Sequence, residues 1–170
     1  MQTESPGDRR FAVWMAVALA VLIADQLTKL AVIHYIDLYG RVPLAPFLNL
    51  THQRNPGAAF SFLADAGGWQ RWFFTVLAAV VSAIIGVWLW RARHTAPLPL
   101  AAGLSLVLGG AVGNLVDRLR HGYVTDFIQV WFGNWPFPSF NIADAAISVG
   151  AALLIIDSLF FSGRTDRAPS

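Results

Sequence analysis

Apolar and polar positions along this chain fall into long blocks rather than the short alternations of a soluble protein. Four mostly apolar runs, 11–34, 69–90, 98–116 and 142–161, stand out. Each approaches the roughly 20 residues that a helix needs to cross a hydrocarbon layer about 30 Å thick. Two intervening segments break the pattern, 35–68 and 117–140. The first carries Pro43, Pro46 and a strand-compatible stretch at 47–54 before the turn signal Asn55-Pro56-Gly57. Its continuation at 58–63, with Phe60 and Phe62, predicts a short amphipathic turn or helix at a lipid boundary. The second segment holds a strand-like run at 124–132 and an aromatic, proline-rich stretch in which Trp131, Trp135 and Phe137 suit the membrane interface. The tails 1–8 and 163–170 lack a pattern and are read as disordered. The pattern thus predicts an all-α integral membrane protein, a bundle of four transmembrane helices with a small strand element outside the bilayer.

Composition agrees. Of the 170 residues 56% are hydrophobic and 13% charged, far from the balance of a soluble domain and short for two domains. A single membrane-embedded domain, 1–170, is expected. Four crossings place both termini on one side. Arg9, Arg10, Arg91, Arg93, Arg164 and Arg167 crowd the tails and the short connection between the second and third runs, which marks that side as cytoplasmic. Lys29, Arg41, Arg54, Arg71, Arg118 and Arg120 fall on the opposite side, so the density of charge, not its total, sets the orientation. The net charge of +2 comes from scattered arginines and disfavours nucleic acid as a partner. Cysteine is absent, which removes disulfides, thiolate metal sites and a cysteine nucleophile. Arg9 and Arg10 before an apolar run resemble an export signal, but no small-residue cleavage site follows.

A charged side chain at the bilayer centre costs about 2.5 to 3.5 kcal/mol even on the lenient insertion scale, so the charges beside these runs need a reason to be there. Asp25 and Lys29 sit one helical turn apart in the order that favours an i,i+4 pair. They form either a structural ion pair or, with Lys29 as a base, part of a serine–lysine site using Ser61 or Ser148. Gly109, Gly110 and Gly113 allow close helix approach. Beyond them Asn114 and Arg118 share a helical face beside Asp117, and Arg118 offers a planar fork of donors that can hold carboxylates. Asp126 follows in the second outer segment. Asn141 and Asp144 face the same way at the start of the fourth run. If Asp126 folds back to the mouth of the bundle, two carboxyl groups meet there. One, ionised, takes a proton from water while the other, protonated, polarises a scissile carbonyl, since close carboxylates do not both ionise readily. Asp144 can equally cap its helix, and paired aspartates in a membrane also serve ion or proton transport.

Five blocks resemble, in order, the signatures of the lipoprotein signal peptidase family: Asp25-Gln26-Leu27-Thr28-Lys29; Arg54-Asn55-Pro56-Gly57-Ala58-Ala59-Phe60-Ser61; Gly109-Gly110-Ala111-Val112-Gly113-Asn114-Leu115-Val116-Asp117-Arg118; Val124-Thr125-Asp126-Phe127-Ile128; and Phe140-Asn141-Ile142-Ala143-Asp144. The resemblance covers nearly everything between Phe11 and Phe161. It implies a bacterial inner-membrane enzyme with four transmembrane helices, a small extracytoplasmic β-cradle and a short periplasmic helix, both in 35–68. The implied activity is removal of signal peptides from diacylglyceryl-modified prolipoproteins by cutting before the lipidated cysteine. Asp126 and Asp144 match the family's catalytic aspartates. Asp25, Lys29, Asn55, Gly57, Asn114, Asp117, Arg118 and Asn141 match its substrate-binding or bracing positions. Neither metal nor cofactor is implied. The partners implied are the prolipoprotein substrates, membrane lipid and inhibitors of the globomycin type. The alternative is a small ion-coupled transporter subunit using the same carboxylates. No His-Glu-x-x-His run is present for a metalloprotease.

Overall fold

The computed structural model describes residues 5–57 and 69–160. Among these residues, four helices are long and apolar enough to cross a membrane: α1 (Pro6–Tyr35), α2 (Trp69–Arg91), α3 (Leu98–His121) and α4 (Ile142–Phe160). Four strands lie between them: β1 (Arg41–Ala45), β2 (Leu48–Asn55), β3 (Val124–Phe132) and β4 (Trp135–Pro136). They form one antiparallel sheet in the order β1-β2-β3-β4.

The third helix is the axis of the bundle. More than half of its apolar window is buried, against about a fifth for each of the others. Its small residues Ala101, Gly103, Ser105, Gly109 and Gly110 make this possible, because without bulky side chains the backbones of α1 and α4 can lie close. Outward-facing side chains such as Leu27, Val76 and Ile155 are apolar and more than half exposed, the pattern of a bundle surrounded by lipid. At one end, Arg10 Nη2 donates to Ala96 O at 2.7 Å and Asp8 pairs with Arg93 at 3.1 Å, tying α1 to the turn between α2 and α3.

The sheet sits at the other end. Phe127 of β3 packs with Val32 and Ile36 at the end of α1, and the imidazole Nδ1 of His52 lies 2.9 Å from Ile36 O. The expected strand at 124–132 is β3 itself, and the stretch at 47–54 lies within one residue of β2. The boundaries differ in two places. Ser5 caps α1 through Asp8, so the part of the tail from residue 6 to 8 is helical rather than disordered. The third span runs on past residue 116 to His121, where Gly122 takes a left-handed conformation (φ 82°) and stops it. The polar residues 117–121 suggest an exit from the helix, yet helical hydrogen bonding does not require apolar side chains, and Asp117 is satisfied by partners described below. The element expected at 58–63 and the tail 163–170 lie outside the described residues.

Candidate active site

Asp126 is the third residue of β3 and pairs across the ladder with Gln53 of β2. Its carboxylate is held from two directions. Asn55, the last residue of β2, donates Nδ2 to Oδ2 at 2.9 Å, and Asn141 donates Nδ2 to Oδ1 at 2.7 Å. Asn55 presents that amide because its own Oδ1 accepts the backbone N–H of Gly57 at 2.9 Å, a turn in which Gly57 adopts φ 106°.

Asn141 precedes α4, and Asp144 lies three residues on. The two form a reciprocal cap: Asp144 N–H donates to Asn141 Oδ1 at 2.9 Å, and Asn141 N–H donates to Asp144 Oδ2 at 3.2 Å. Asp144 Oδ1 accepts Asn114 Nδ2 at 2.8 Å. Asn141 therefore donates to both carboxylates, through its backbone N–H to Asp144 and through Nδ2 to Asp126, and Asp144 takes part in the helix cap, as expected of it. Asp126 is buried and its pKa is pushed up to about 7, first by desolvation and then by repulsion from Asp144, against the lowering effect of Asn55, Asn141 and Lys29.

Behind this pair lies a buried ionic cluster. Lys29 Nζ is 2.8 Å from Asp25 Oδ2 and 3.0 Å from Asp117 Oδ2, and donates to Asn114 Oδ1 at 3.0 Å. Lysine offers only donors, so Asn114 turns its oxygen toward Lys29 and its Nδ2 toward Asp144. Asp25 Oδ1 also accepts the Ala143 N–H at 3.0 Å, a free donor in the first turn of α4. Asp117 Oδ2 accepts the Thr125 N–H at 3.1 Å, next to Asp126. The cluster thus grips the backbone beside each of the two carboxylates.

Among the described residues, three cavities open on the pair. One of about 480 Å³ is lined by Asp126, Gln53, Arg54, Asn55, Gln129 and the 135–139 stretch. A second, of about 640 Å³, runs from Asp144 along Ala145, Ser148 and Val149 of α4, under the same stretch. The third, of about 280 Å³, reaches Asp144 and Arg118 between α2, α3 and α4. Among the described residues, no group of three or more His, Asp or Glu side chains is placed to hold a metal ion.

This arrangement of carboxylates at one end of a four-helix bundle coincides with a family match. The model of signal peptidase II (SPase II) matches residues 17–160. The chain belongs to the signal peptidase II family. It is 50% identical over 155 residues to the lipoprotein signal peptidase of Shewanella amazonensis, covering 91% of this chain and 92% of the relative. With the lipoprotein signal peptidase of Shewanella oneidensis it shares 52% over 154 residues, 91% and 89% of the two chains. A solved bacterial membrane enzyme, determined by the in meso method at 2.3 Å, superposes with a TM-score of 0.79 at 30% identity, covering 94% of this chain and 95% of that one. A second, at 1.9 Å, gives 0.75 at 32% identity over 89% and 94%. This member of the signal peptidase II family is accordingly a multi-pass membrane peptidase.

The structure draws together Asp25, Lys29, Asn55, Gly57, Asn114, Asp117, Asp126, Asn141 and Asp144, which sequence reasoning had singled out. Arg118 lines the α2–α3–α4 cavity with Asp144 but does not clamp the carboxylates directly. Among the described residues it forms no ion pair with Asp126 or Asp144; Nη1 donates to Asn114 O at 3.4 Å and the guanidinium lies 5.4 Å from the Phe74 ring centre. The serine–lysine arrangement fails in its visible half, because Lys29 is engaged by two carboxylates and Ser148 donates to Asp144 O at 2.8 Å; Ser61 lies outside the described residues. Sequence reasoning passed over Gln26, whose Nε2 donates to Asp117 Oδ1 at 2.9 Å and to Gly113 O at 3.2 Å. A polar amide inside an apolar run was the available signal.

Proposed function

We propose that Asp126 and Asp144 are the catalytic pair of an aspartic endopeptidase that removes signal peptides from diacylglyceryl-modified prolipoproteins, cutting before the lipidated cysteine. The family assignment supports the peptidase activity and the prolipoprotein substrate, and gives the transporter alternative no support. One observation carries the catalytic assignment: one residue, Asn141, donates to both carboxylates, its side-chain Nδ2 to Asp126 and its backbone N–H to Asp144, beside open cavities.

With Asp126 protonated up to about pH 7, the pair holds one proton in the neutral range. The ionised carboxylate takes a proton from water, whose oxygen attacks the carbonyl carbon before the cysteine. The protonated carboxyl hydrogen-bonds the carbonyl oxygen and stabilises its developing charge. Collapse of the tetrahedral intermediate breaks the C–N bond, and the cysteine nitrogen leaves with a proton from the pair. No covalent enzyme intermediate forms. Asn55, Asn114 and Asn141 hold the carboxylates in register, with Arg118 contributing positive charge at the mouth of the α2–α3–α4 cavity.

The whole chain, 1–170, works as one unit in the bacterial inner membrane, with termini cytoplasmic and the sheet and catalytic pair at the periplasmic face. Membrane lipid solvates the bundle, and inhibitors of the globomycin type occupy the space beside the pair. Incubating the purified protein with a diacylated prolipoprotein and with its unmodified counterpart tests this reading. Cleavage confined to the lipidated form supports it; equal cleavage of both, or of neither, contradicts it.

A further inference from the structure

The three cavities differ in chemistry, and one short wall parts two of them. Phe137, Pro138 and Ser139 line both the cavity at Asp126 and the α4 cavity at Asp144, so this stretch separates them. Away from the carboxylates, the α4 cavity and the α2–α3–α4 cavity present mainly apolar side chains, which give a polar peptide few partners. The cavity at Asp126 is different. Gln53 is the cross-strand partner of Asp126, so the two side chains stand on the same face of the sheet. The Gln53 amide is half-buried and makes no hydrogen bond among the described residues. Beside it, Gln129 is buried and accepts from Trp131 Nε1 at 3.2 Å, and the Arg54 guanidinium is steadied 4.7 Å from the Tyr123 ring centre.

A diacylglyceryl prolipoprotein has three arms at its scissile bond: an apolar signal segment, a pair of acyl chains, and the mature chain, which is the polar one. We infer that the cavity floored by Gln53, Arg54 and Gln129 is a subsite for the mature side of the substrate, and that Gln53 is a specificity-determining residue for the positions following the lipidated cysteine. The inference rests on the substrate proposed above. Cut substrate leaves its new N-terminus, the cysteine nitrogen, beside Asp126, and the residues after it run along β2 toward Gln53. A free amide can donate and accept, so Gln53 tolerates several polar residues and discriminates against apolar ones, whose presence would leave it buried without a partner.

The test is a competition in one vessel between diacylglyceryl prolipopeptides that differ only at the two positions after the cysteine: Ser-Ser, Asp-Asp, Lys-Lys or Leu-Leu. A second series varies only the residues before the cysteine. Ratios within a mixture cancel any general loss of catalytic power. The wild type is expected to prefer Ser-Ser over Leu-Leu by about fivefold, the worth of one neutral hydrogen bond, and Gln53→Leu to abolish that preference. Gln53→Glu is expected to raise the Lys-Lys to Asp-Asp ratio at least severalfold. Neither variant should move the ratios in the second series. Unchanged mature-side ratios in both variants, with cleavage intact, overturn the subsite while leaving the proposed activity standing. Shifts of equal size in both series also overturn it. If the wild type cuts none of the lipidated peptides, the substrate reading falls, and the subsite with it.

Discussion

Asn141 donates its side-chain amide to Asp126 at 2.7 Å and, through its backbone N–H, holds Asp144 at 3.2 Å, so one residue fixes a carboxylate of the sheet against a carboxylate of a helix. Its Nδ2 also lies 3.3 Å from both Thr125 O and Asn114 Oδ1, and it is fully buried. The geometry of the pair is thus set by the start of α4, not by the flexible reach of the acids themselves.

Replacement Asn141→Ser separates the two tasks of this residue. Serine keeps a good helix cap but is too short to reach Asp126. The thermal unfolding midpoint in detergent is expected to fall, by the roughly 1–3 kcal/mol of a buried acceptor left unpaired, while cleavage of a lipidated prolipoprotein by the folded variant falls about 100-fold through misplacement of one carboxylate. Full activity in this variant would show that Asn141 does not position the pair.

The pH profile should be bell-shaped, active where the pair holds one proton. Its alkaline limb is expected near pH 7, where Asp126 loses its proton. The Asn55 hydrogen bond stabilises the ionised form of Asp126, so removing it raises the pKa. In Asn55→Ala the alkaline limb should therefore move to higher pH. Initial rates from pH 5 to 9 decide this; a shift to lower pH contradicts the electrostatics.

Lys29→Met removes the cation that pairs with both Asp25 and Asp117 in a buried site. Breaking a buried pair from one side costs roughly 3–5 kcal/mol because the remaining charge stays uncompensated. A large drop in unfolding temperature is expected, with loss of activity following loss of fold. A variant as stable as the wild type would show that the cluster does not hold α1 to α3.

How much of this was legible in the sequence follows from what each feature depends on. The four spans and β3 were readable because long apolar runs and strand-like patterns are local properties, unaffected by distant neighbours. The polar residues were also visible, since charge and amides in apolar runs stand out. The Asp25–Lys29 pair was readable from its spacing on one helix, but partners supplied by other elements were not. Arg118 looked suited to the carboxylates by its spacing, yet the third helix turns it toward Phe74, and Lys29 takes the central place instead. Gln26 lies between Asp25 and Lys29 without drawing notice, because its role depends on α3 approaching α1 at Gly113.

That approach is itself testable. A Cβ at Gly113 would lie 2.7 Å from Asp25 Oδ2, too close for the pair with Lys29 to stay in place. Gly113→Ala is expected to destabilise the protein by about 1–3 kcal/mol, the usual range for overpacking. Thermal unfolding beside the wild type measures it, and an unchanged midpoint would mean the helices can separate at no cost.

The central claim is that two carboxyl groups, one from the sheet and one from α4, together activate water. Single-turnover cleavage of a diacylated prolipoprotein by Asp126→Asn and by Asp144→Asn, each checked for wild-type unfolding and substrate binding, tests it most directly. Both rates are expected to fall by at least about a thousandfold, as removal of a general acid or base combined with loss of the shared proton requires. Wild-type turnover in either folded variant would contradict the account.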